Sequence, residues 1–257
     1  GINALQLGDY GAYVFESEFR RFLSMDIYLV FCIFSFIIGL YYFLQYAMRI
    51  KERTLLLFSL NNFFFSFYFI NMGLDINFLP YRFGIAFSQS FMPLFFGFLV
   101  IFFLEYFDVF NRKTVKMTFG GVAIFFFLLF YINHALGNPI QGLFTLVLIP
   151  GGLQLVFMVG VAVWATLKKN RDALPIMIGA LLGFGFGVHD MAFQFSGGTP
   201  FVWLQGIGIF LFNLSMFVSL AVKNMRAYAD LESYSGEIRI KTEELELYLR
   251  NISEISE

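Results

Sequence analysis

Seven apolar stretches of about twenty residues each constrain the fold of this chain more than any other feature. A helix needs about 20 residues to cross about 30 Å of hydrocarbon. Because backbone groups in lipid must be satisfied internally, and these runs lack the alternation of barrel strands, they are predicted to be helices. The runs lie at 22–48, 54–72, 83–107, 117–136, 142–167, 174–193 and 201–222. The sequence therefore predicts an all-α membrane protein, a seven-transmembrane helix bundle.

The composition agrees with this interpretation. Hydrophobic residues make up 59% of the chain, charged residues only 14%, and mean hydropathy is +0.74. A water-soluble fold has too little interior to bury so much apolar surface. The single cysteine, Cys32, has no partner for an internal disulfide and provides no cluster of metal ligands. A net charge of −1 gives no reason to expect a nucleic-acid partner.

The distribution of basic residues predicts the orientation, because short loops rich in Lys and Arg stay in the cytoplasm. Eleven basic residues follow spans one, three, five and seven, and only three lie on the other side. The cytoplasmic group is Arg49, Lys51, Arg53, Arg112, Lys113, Lys116, Lys168, Lys169, Arg171, Lys223 and Arg226; the opposite group is Arg20, Arg21 and Arg82. The N-terminus is therefore predicted outside and the C-terminus inside.

The segment before the first span, residues 1–20, is neither long nor apolar enough to insert. Its mixture of Gly, Tyr, Leu and Val favours the end of, or a linker from, an extracytoplasmic sensor domain rich in β-strands. The chain begins with Gly1 and stops within a polar helical pattern. We therefore expect it to be part of a longer protein.

After the last span, residues 223–257 change to a heptad pattern. The positions that step alternately by three and four are Leu231, Tyr234, Ile238, Lys241, Leu245, Tyr248, Ile252 and Ile255. Seven of these eight are apolar or aromatic, and mostly acidic residues separate them, as in a coiled coil. The alternative is a solitary amphipathic helix on the membrane, which the excess of acid over base disfavours. The pattern predicts a cytoplasmic signalling helix that makes a homodimer, with Lys241 weakening the seam and helping to set its register.

Few ionisable residues lie within the spans, and such residues are candidates for function. His189 and Asp190, in the outer half of span six, are the candidate ligand-binding or pH-sensing pair, with structural hydrogen bonding as the alternative. Neighbouring helical residues diverge by about 100°, so the two need not share a partner. Glu105 and Asp108 close span three, where Arg112 and Lys113 are expected to neutralise them.

Amides and glycines in the spans are predicted to serve packing. Gly179 and Gly183 form a small-xxx-small pair for close helix contact. The amides expected to join helices are Asn61, Asn62, Asn71, Gln89, Gln154, Gln205 and Asn213. No span has a lysine away from its cytoplasmic end for a retinal Schiff base, and catalytic, nucleotide and metal motifs are absent from the sequence. We therefore expect no catalytic residue, no cofactor and no metal.

Three segments carry a resemblance to a known family. They are KER with LLLFSL after span one, FINMGLD at the end of span two, and GTPFVWLQGIGIFLFNLSMFVSLAVKNMRAYADLESYS from span seven into the charged helix. The chain from about residue 20 to 257 resembles the bacterial seven-transmembrane receptors with diverse intracellular signalling modules. The resemblance implies a bacterial inner membrane, a preceding extracytoplasmic β-sandwich sensor and a variable output module, namely a histidine kinase, cyclase, diguanylate cyclase or phosphatase.

The leading hypothesis is a receptor region in which an unknown extracellular ligand repositions span seven and so resets a dimeric helix in the cytoplasm. A transporter or channel for a small solute is the alternative from another class. Such proteins usually place charges or broken helices near the midplane, often in repeated halves. This chain offers mainly amides and shows no evident duplication. A purely structural membrane scaffold is a third possibility.

Overall fold

The computed structural model describes residues 10–73, 81–109, 113–138, 140–168, 170, 172–198 and 202–256. Every regular element within these ranges is helical. The helices are α1 (Tyr10–Arg21), α2 (Ile27–Gln45), α3 (Arg53–Gly73), α4 (Tyr81–Tyr106), α5 (Lys113–Ala135), α6 (Ile140–Leu167), α7 (Ala173–Ser196) and α8 (Gln205–Ser256). The predicted all-α class is thus confirmed for the described residues.

The first helix is longer than its predicted span. π-helical turns at Phe22–Asp26 and Tyr46–Ile50 flank α2, and the backbone stays right-handed helical where α1 meets the first of these turns. A single helix therefore runs from Tyr10 to Ile50. The strand character expected before span one is wrong for Tyr10–Arg21, because the apolar residues of this segment repeat at helical spacing. Residues 1–9 lie outside the described residues.

Six of the described helices are long and apolar enough to cross a membrane. They correspond to predicted spans one and three to seven. The predicted second span, 54–72, forms α3, a helix of 21 residues that is the least apolar from α2 to α7. Its polar residues face neighbouring helices: Ser59 donates a hydrogen bond to the Gly39 carbonyl, and Ser66 to the Cys32 carbonyl. Seven spans and their orientation remain predictions.

The last helix, α8, packs between α7 and the first span, α2. Consecutive helices α2, α3 and α4 pack side by side, α6 packs on α4 and α7, and α8 packs on α7 and reaches α2. Most of the surface of α5 is exposed, since this helix packs mainly against α4. A β-carbon added at Gly97 would lie 2.4 Å from the Ala123 β-carbon, so the missing side chain permits this close approach.

Aromatic side chains fill the interior between these helices. Rings of α3 and α4 pack in tilted pairs, with centroids 5.5 Å apart for Phe58 and Phe102 and 5.3 Å apart for Phe65 and Phe95. Phe103 of α4 meets Phe212 of α8 at 5.7 Å. Such pairs add about 0.5–1.5 kcal/mol each to the burial of the rings. Phenylalanine rings therefore join α4, the most buried of the six candidate spans, to α3 and also to α8.

Whether α3 crosses the membrane can be tested by labelling. In a Cys32→Ser background, a cysteine at Lys51 should react with a membrane-impermeant maleimide only after the cells are opened. A cysteine at Asn77, in the connection that follows α3, should react in intact cells. Labelling of both positions from the same side would contradict a seven-span arrangement.

Candidate functional site: the contacts that hold the last helix

The described helix α8 has 52 residues and continues without interruption from the bundle into the tail. At 1.5 Å per residue its length is about 78 Å. Residues 225–246 are exposed throughout, whereas the first part of the helix is largely enclosed. The contacts that fix α8 lie at three levels: its outer end, its middle and the point where it leaves the bundle.

The outer end of α8 is held by the carboxylate of Asp190 on α7. Its Oδ1 accepts a hydrogen bond of 3.0 Å from the backbone amide of Leu204, and its Oδ2 one of 2.6 Å from that of Gln205. These amides begin α8 and have no acceptor inside the helix. Asp190 is only 4% exposed, so its carboxylate replaces solvent at this helix start. The helix dipole also favours a negative group here.

His189, the second residue of the predicted pair, lies beside Asp190. Its Nδ1 is 2.9 Å from Asp190 Oδ1, and its side chain is 38% exposed. The two neighbouring residues therefore do interact, although their side chains leave the helix in different directions. This arrangement gives Asp190 a structural role as a helix anchor. A role of the pair in ligand or pH sensing stays a prediction.

Tyr28 of α2 supports the same helix start from another side. Its hydroxyl donates a hydrogen bond of 3.0 Å to the Trp203 carbonyl. The tyrosine ring also lies against Gly206, where an added β-carbon would come within 2.1 Å of it. A side chain at position 206 would therefore displace Tyr28. Both α2 and α7 thus bind the beginning of α8.

The middle of α8 is joined to α3 by two buried amides. Asn213 Nδ2 donates a hydrogen bond of 2.8 Å to Asn62 Oδ1, and Asn62 Nδ2 donates to the Phe58 carbonyl. Both residues were among the amides predicted to join helices. The neighbouring Asn61 is also buried, but its side-chain amide has no hydrogen-bond partner among the described residues.

Gly179 and Gly183 lie where α7 meets α8. A β-carbon at Gly179 would be 2.1 Å from Ser215 Oγ and 3.1 Å from the Phe212 α-carbon. One at Gly183 would be 3.3 Å from the Gly208 carbonyl oxygen. The two helix backbones approach closely at this pair, in the geometry for which small residues are used in membranes.

Where α8 leaves the bundle, its charged residues meet acids from two different loops. Lys223 Nζ is 3.0 Å from Glu52 Oε1 in the α2–α3 connection. Arg226 Nη1 is 2.6 Å from Asp172 Oδ1 in the α6–α7 connection. We call the charged and polar contacts of Ser219, Lys223 and Arg226 the collar. Its two ion pairs are partly exposed, so solvent weakens them.

Contacts with uncharged groups complete the collar. Ser219 Oγ donates a hydrogen bond of 2.5 Å to the Asp172 carbonyl and lies 2.9 Å from the Tyr106 hydroxyl at the end of α4. Lys223 Nζ lies 5.3 Å from the centre of the Tyr106 ring, within cation–π range. The collar therefore connects α8 to the α2–α3 connection, the α6–α7 connection and the end of α4.

The pKa of Glu52 reflects its place in the collar. Burial by itself would raise this pKa, but hydrogen bonds from Thr54 and Lys223, together with the Lys223 charge, outweigh burial and lower it. A lowered pKa means that the folded protein favours the carboxylate. The contact with Lys223 therefore belongs to the charged form of Glu52.

Sequence reasoning did not find the collar. The sequence predicts that Glu105 and Asp108, at the end of span three, are neutralised by Arg112 and Lys113. In the structure Glu105 pairs with Lys116 of α5. One usable signal was present: Ser219, Lys223 and Arg226 are spaced by four and three residues and so share one face of a continuous helix. Which loop acid each residue meets depends on tertiary packing.

The predicted tail seam is exposed in the single chain. The described members with apolar or aromatic side chains are each 61–67% exposed: Leu231, Tyr234, Ile238, Leu245 and Tyr248. The side chains of Ile252 and Ile255 lie outside the described residues. Homodimer formation through the seam stays a prediction. Over the described part of the chain, no group of three His, Cys, Asp or Glu residues is placed to hold a metal ion.

Comparison with known proteins gives one match. A family model described as 7TM diverse intracellular signalling matches residues 24–223. This range includes all seven predicted spans except the first two residues of span one. No curated protein matches the chain. No solved structure matches it either.

Replacing Asp190 with Asn should destabilise the bundle, because an amide keeps only one acceptor for the two α8 amides and removes the charge. Hydrogen bonds to charged groups contribute about 1.5–3 kcal/mol, which predicts a clear fall in the thermal unfolding midpoint in detergent. The control is His189→Gln, at the more exposed residue beside Asp190, which should lower the unfolding midpoint much less. Equal shifts would contradict the anchor role.

The collar should respond to acid through Glu52. Because the Glu52 pKa is lowered on folding, its stabilisation is present above the ordinary Glu pKa and is lost as pH falls through the folded-state value. The wild type should unfold at a higher temperature than Glu52→Gln at neutral pH, by the equivalent of at most about 1 kcal/mol. That difference should vanish in acid. Glu243→Gln, which alters an exposed pair in the tail, is the control; a difference that persists at low pH would contradict the prediction.

Proposed function

Since the chain belongs to the 7TM diverse intracellular signalling family, we propose that it is the membrane sensor region of a receptor that transmits an extracellular signal through α8 to a cytoplasmic output module. The observation that carries this proposal is the continuity of α8 from Gln205 to Ser256. A helix that is stiff across the membrane boundary transfers rotation, tilt or sliding of its enclosed part to its exposed part.

Contacts between the first helix and α8 support a route for the signal. The Phe31 and Phe210 rings stack with centroids 4.1 Å apart. The Tyr42 hydroxyl donates a hydrogen bond of 3.5 Å to the Phe217 carbonyl. Because the helix from Tyr10 to Ile50 begins before the membrane, movement of a preceding sensor domain would tilt it and press on α8 at both levels. We propose that α8 is displaced in this way.

The collar sets the resting position of α8 in this proposal. Glu52 and Asp172 attract Lys223 and Arg226 from two sides, so a rotation of α8 breaks both ion pairs together. Partly exposed ion pairs contribute only about 0–1 kcal/mol each. A modest difference in ligand affinity between two states is enough to overcome contacts of that strength.

The exposed tail supports a homodimeric output. Its seam residues recur every three and four residues, and Arg239 and Glu243 form an i,i+4 pair beside them with 3.4 Å between Nε and Oε1. In a dimer, rotation of α8 would change which faces of the two tails meet. The position of Lys241 within the seam would weaken the dimer and help to set its register.

The sensor region of this family is non-catalytic, so the chemistry of the receptor is assigned to an output module. We propose a kinase, cyclase, diguanylate cyclase or phosphatase after the tail, and a bacterial inner membrane as the location. The transport alternative gains no support from Asp190, the most buried carboxylate of the spans, because the α8 amides occupy its oxygens. His189 and Asp190 remain the candidate residues for ligand or pH sensing.

Insertions between Tyr228 and Leu231 in the full-length receptor test the proposal. Two inserted alanines rotate the tail by about 200° relative to the bundle and should change basal output severalfold. Seven inserted residues, one heptad, keep the seam nearly in phase and should restore output close to the wild-type value. Equal effects of the two insertions, or none from either, would contradict transmission through the phase of α8.

A further inference from the structure

The segment before the membrane carries an exposed aromatic stripe that the bundle does not use. Phe15, Phe19 and Phe22 are 70%, 43% and 48% exposed, and they follow one another by four and three residues. The Phe15 and Phe19 rings stack with centroids 6.0 Å apart. Among the described elements, α1 packs on the π-helical turn that follows it. The stripe therefore faces outward.

Lipid does not reach most of this stripe. The apolar part of the first span begins at Ile27, and the exposed Asp26 precedes it. Because the helix is continuous, Phe15 lies roughly 18 Å along its axis from Ile27. The headgroup region is only about 5–8 Å deep on each side, and even a tilt of about 40° leaves Phe15 about 14 Å out. Phe15 and Phe19 are thus in water unless a protein surface covers them.

The same face continues down the first span. Its exposed members within the membrane recur by three and four residues: Val30, Ile33, Ile37, Leu40, Leu44 and Met48. The opposite face of the helix packs on α3 and α8. One helix therefore presents a continuous stripe of exposed residues from the aqueous phase to the cytoplasmic boundary, within a wider exposed surface of the span that includes Phe43. Asp26, the charged member of the stripe, lies at headgroup level.

We propose that α1 pairs in parallel with α1 of a second copy of this chain, with the Phe15–Phe22 stripe as the seam on the extracytoplasmic side. This seam places Phe15 and Phe22 at d positions of a heptad and Phe19 at an a position. The charges on α1 are then compatible with a second copy. In a parallel pair Glu18 faces Leu23 of the other copy and Glu16 faces Gly11, so no acids oppose each other. Two copies inserted in one membrane are parallel by necessity.

The pairing rests on the proposed two-copy receptor and adds a second contact at its opposite end. A symmetric dimer that is joined before the first span and after the last places the two bundles between two seams. An extracytoplasmic signal then acts on the helix pair that leads into α2, and the output is read from the pair that continues α8. The α1 pair is therefore a dimer interface on the sensor side, separate from the tail seam.

Cysteine crosslinking of the full chain in membranes tests the pairing. In a Cys32→Ser background, single cysteines at Phe15 or Phe19 should give at least five times more oxidised dimer than a cysteine at Ser17. Ser17 is exposed on the opposite face of the same helix, which makes it the matched control. Equal or lower crosslinking at the phenylalanine positions would overturn the proposal.

Other occupants of the stripe give different results. Quenching of a bimane probe at Phe19 by brominated lipids, without crosslinking, would show that the stripe lies on the membrane. Shielding of the probe from both lipid and aqueous iodide, again without crosslinking, would show that another segment covers it. Either result overturns the pairing. A second readout keeps every phenylalanine: nitroxides at Ser17 of two copies should be roughly 20 Å apart, since they lie on the outer faces of two adjacent helices.

The tail seam is tested separately, so that the two proposals fail independently. Leu245→Glu should abolish crosslinking through a cysteine at Ile238 and leave crosslinking at Phe19 above that at Ser17. Tail crosslinks without α1 crosslinks would overturn the α1 pairing alone. α1 crosslinks without tail crosslinks would overturn the tail seam alone, and the absence of both would overturn the dimeric receptor.

Discussion

Backbone hydrogen bonding at the start of α8 is the constraint on which the arrangement of this protein depends. A helix that begins beside lipid has amides without internal acceptors, and apolar surroundings provide none. Asp190 supplies both of its oxygens to Leu204 and Gln205, and Tyr28 holds the adjoining Trp203 carbonyl. The beginning of α8 is therefore fixed to α7 and α2 by hydrogen bonds. Loss of these bonds would leave buried polar groups without partners, which costs free energy. The close packing at Gly179 follows from the same placement.

The two ends of the enclosed part of α8 are held with different strength. The outer contacts are buried and use a carboxylate, whereas the ion pairs of Lys223 and Arg226 are partly open to solvent and screened. The weaker end is the one where α8 leaves the bundle. A force on α8 would thus be resisted at Asp190 and released at the collar, so the helix would pivot about its N-terminal end. About 50 Å of helix beyond Lys223 then amplifies a small change of angle.

The sequence predicted the parts of this structure that depend on periodicity and composition. Apolar runs of span length identified the helices, and the step to heptad spacing at Leu231 identified the continuation of the last one. The family followed from the segments around spans one, two and seven. Pairing between distant residues was beyond such reasoning, because Glu52 and Asp172 become partners of α8 only after the helices have packed. The helical state of Tyr10–Arg21 was not predicted, because the glycine and aromatic residues of this segment are also typical of strands. The helical signal is the spacing of Phe15, Phe19 and Phe22 by four and three residues.

Continuity of α8 through the collar is the central claim, and a distance measurement within one copy tests it directly. Spin labels at Asn170, in the loop beside the collar, and at Glu244, on the tail, would be measured in nanodiscs by pulsed electron paramagnetic resonance. Labelled chains would be diluted with unlabelled ones, and Cys32 would be replaced by Ser. Residue 244 lies 18 positions beyond Arg226, which corresponds to about 27 Å of helix. A single narrow distribution centred near or somewhat above that distance is the predicted result, and a broad distribution extending to short distances would show a hinge after the collar and contradict the account.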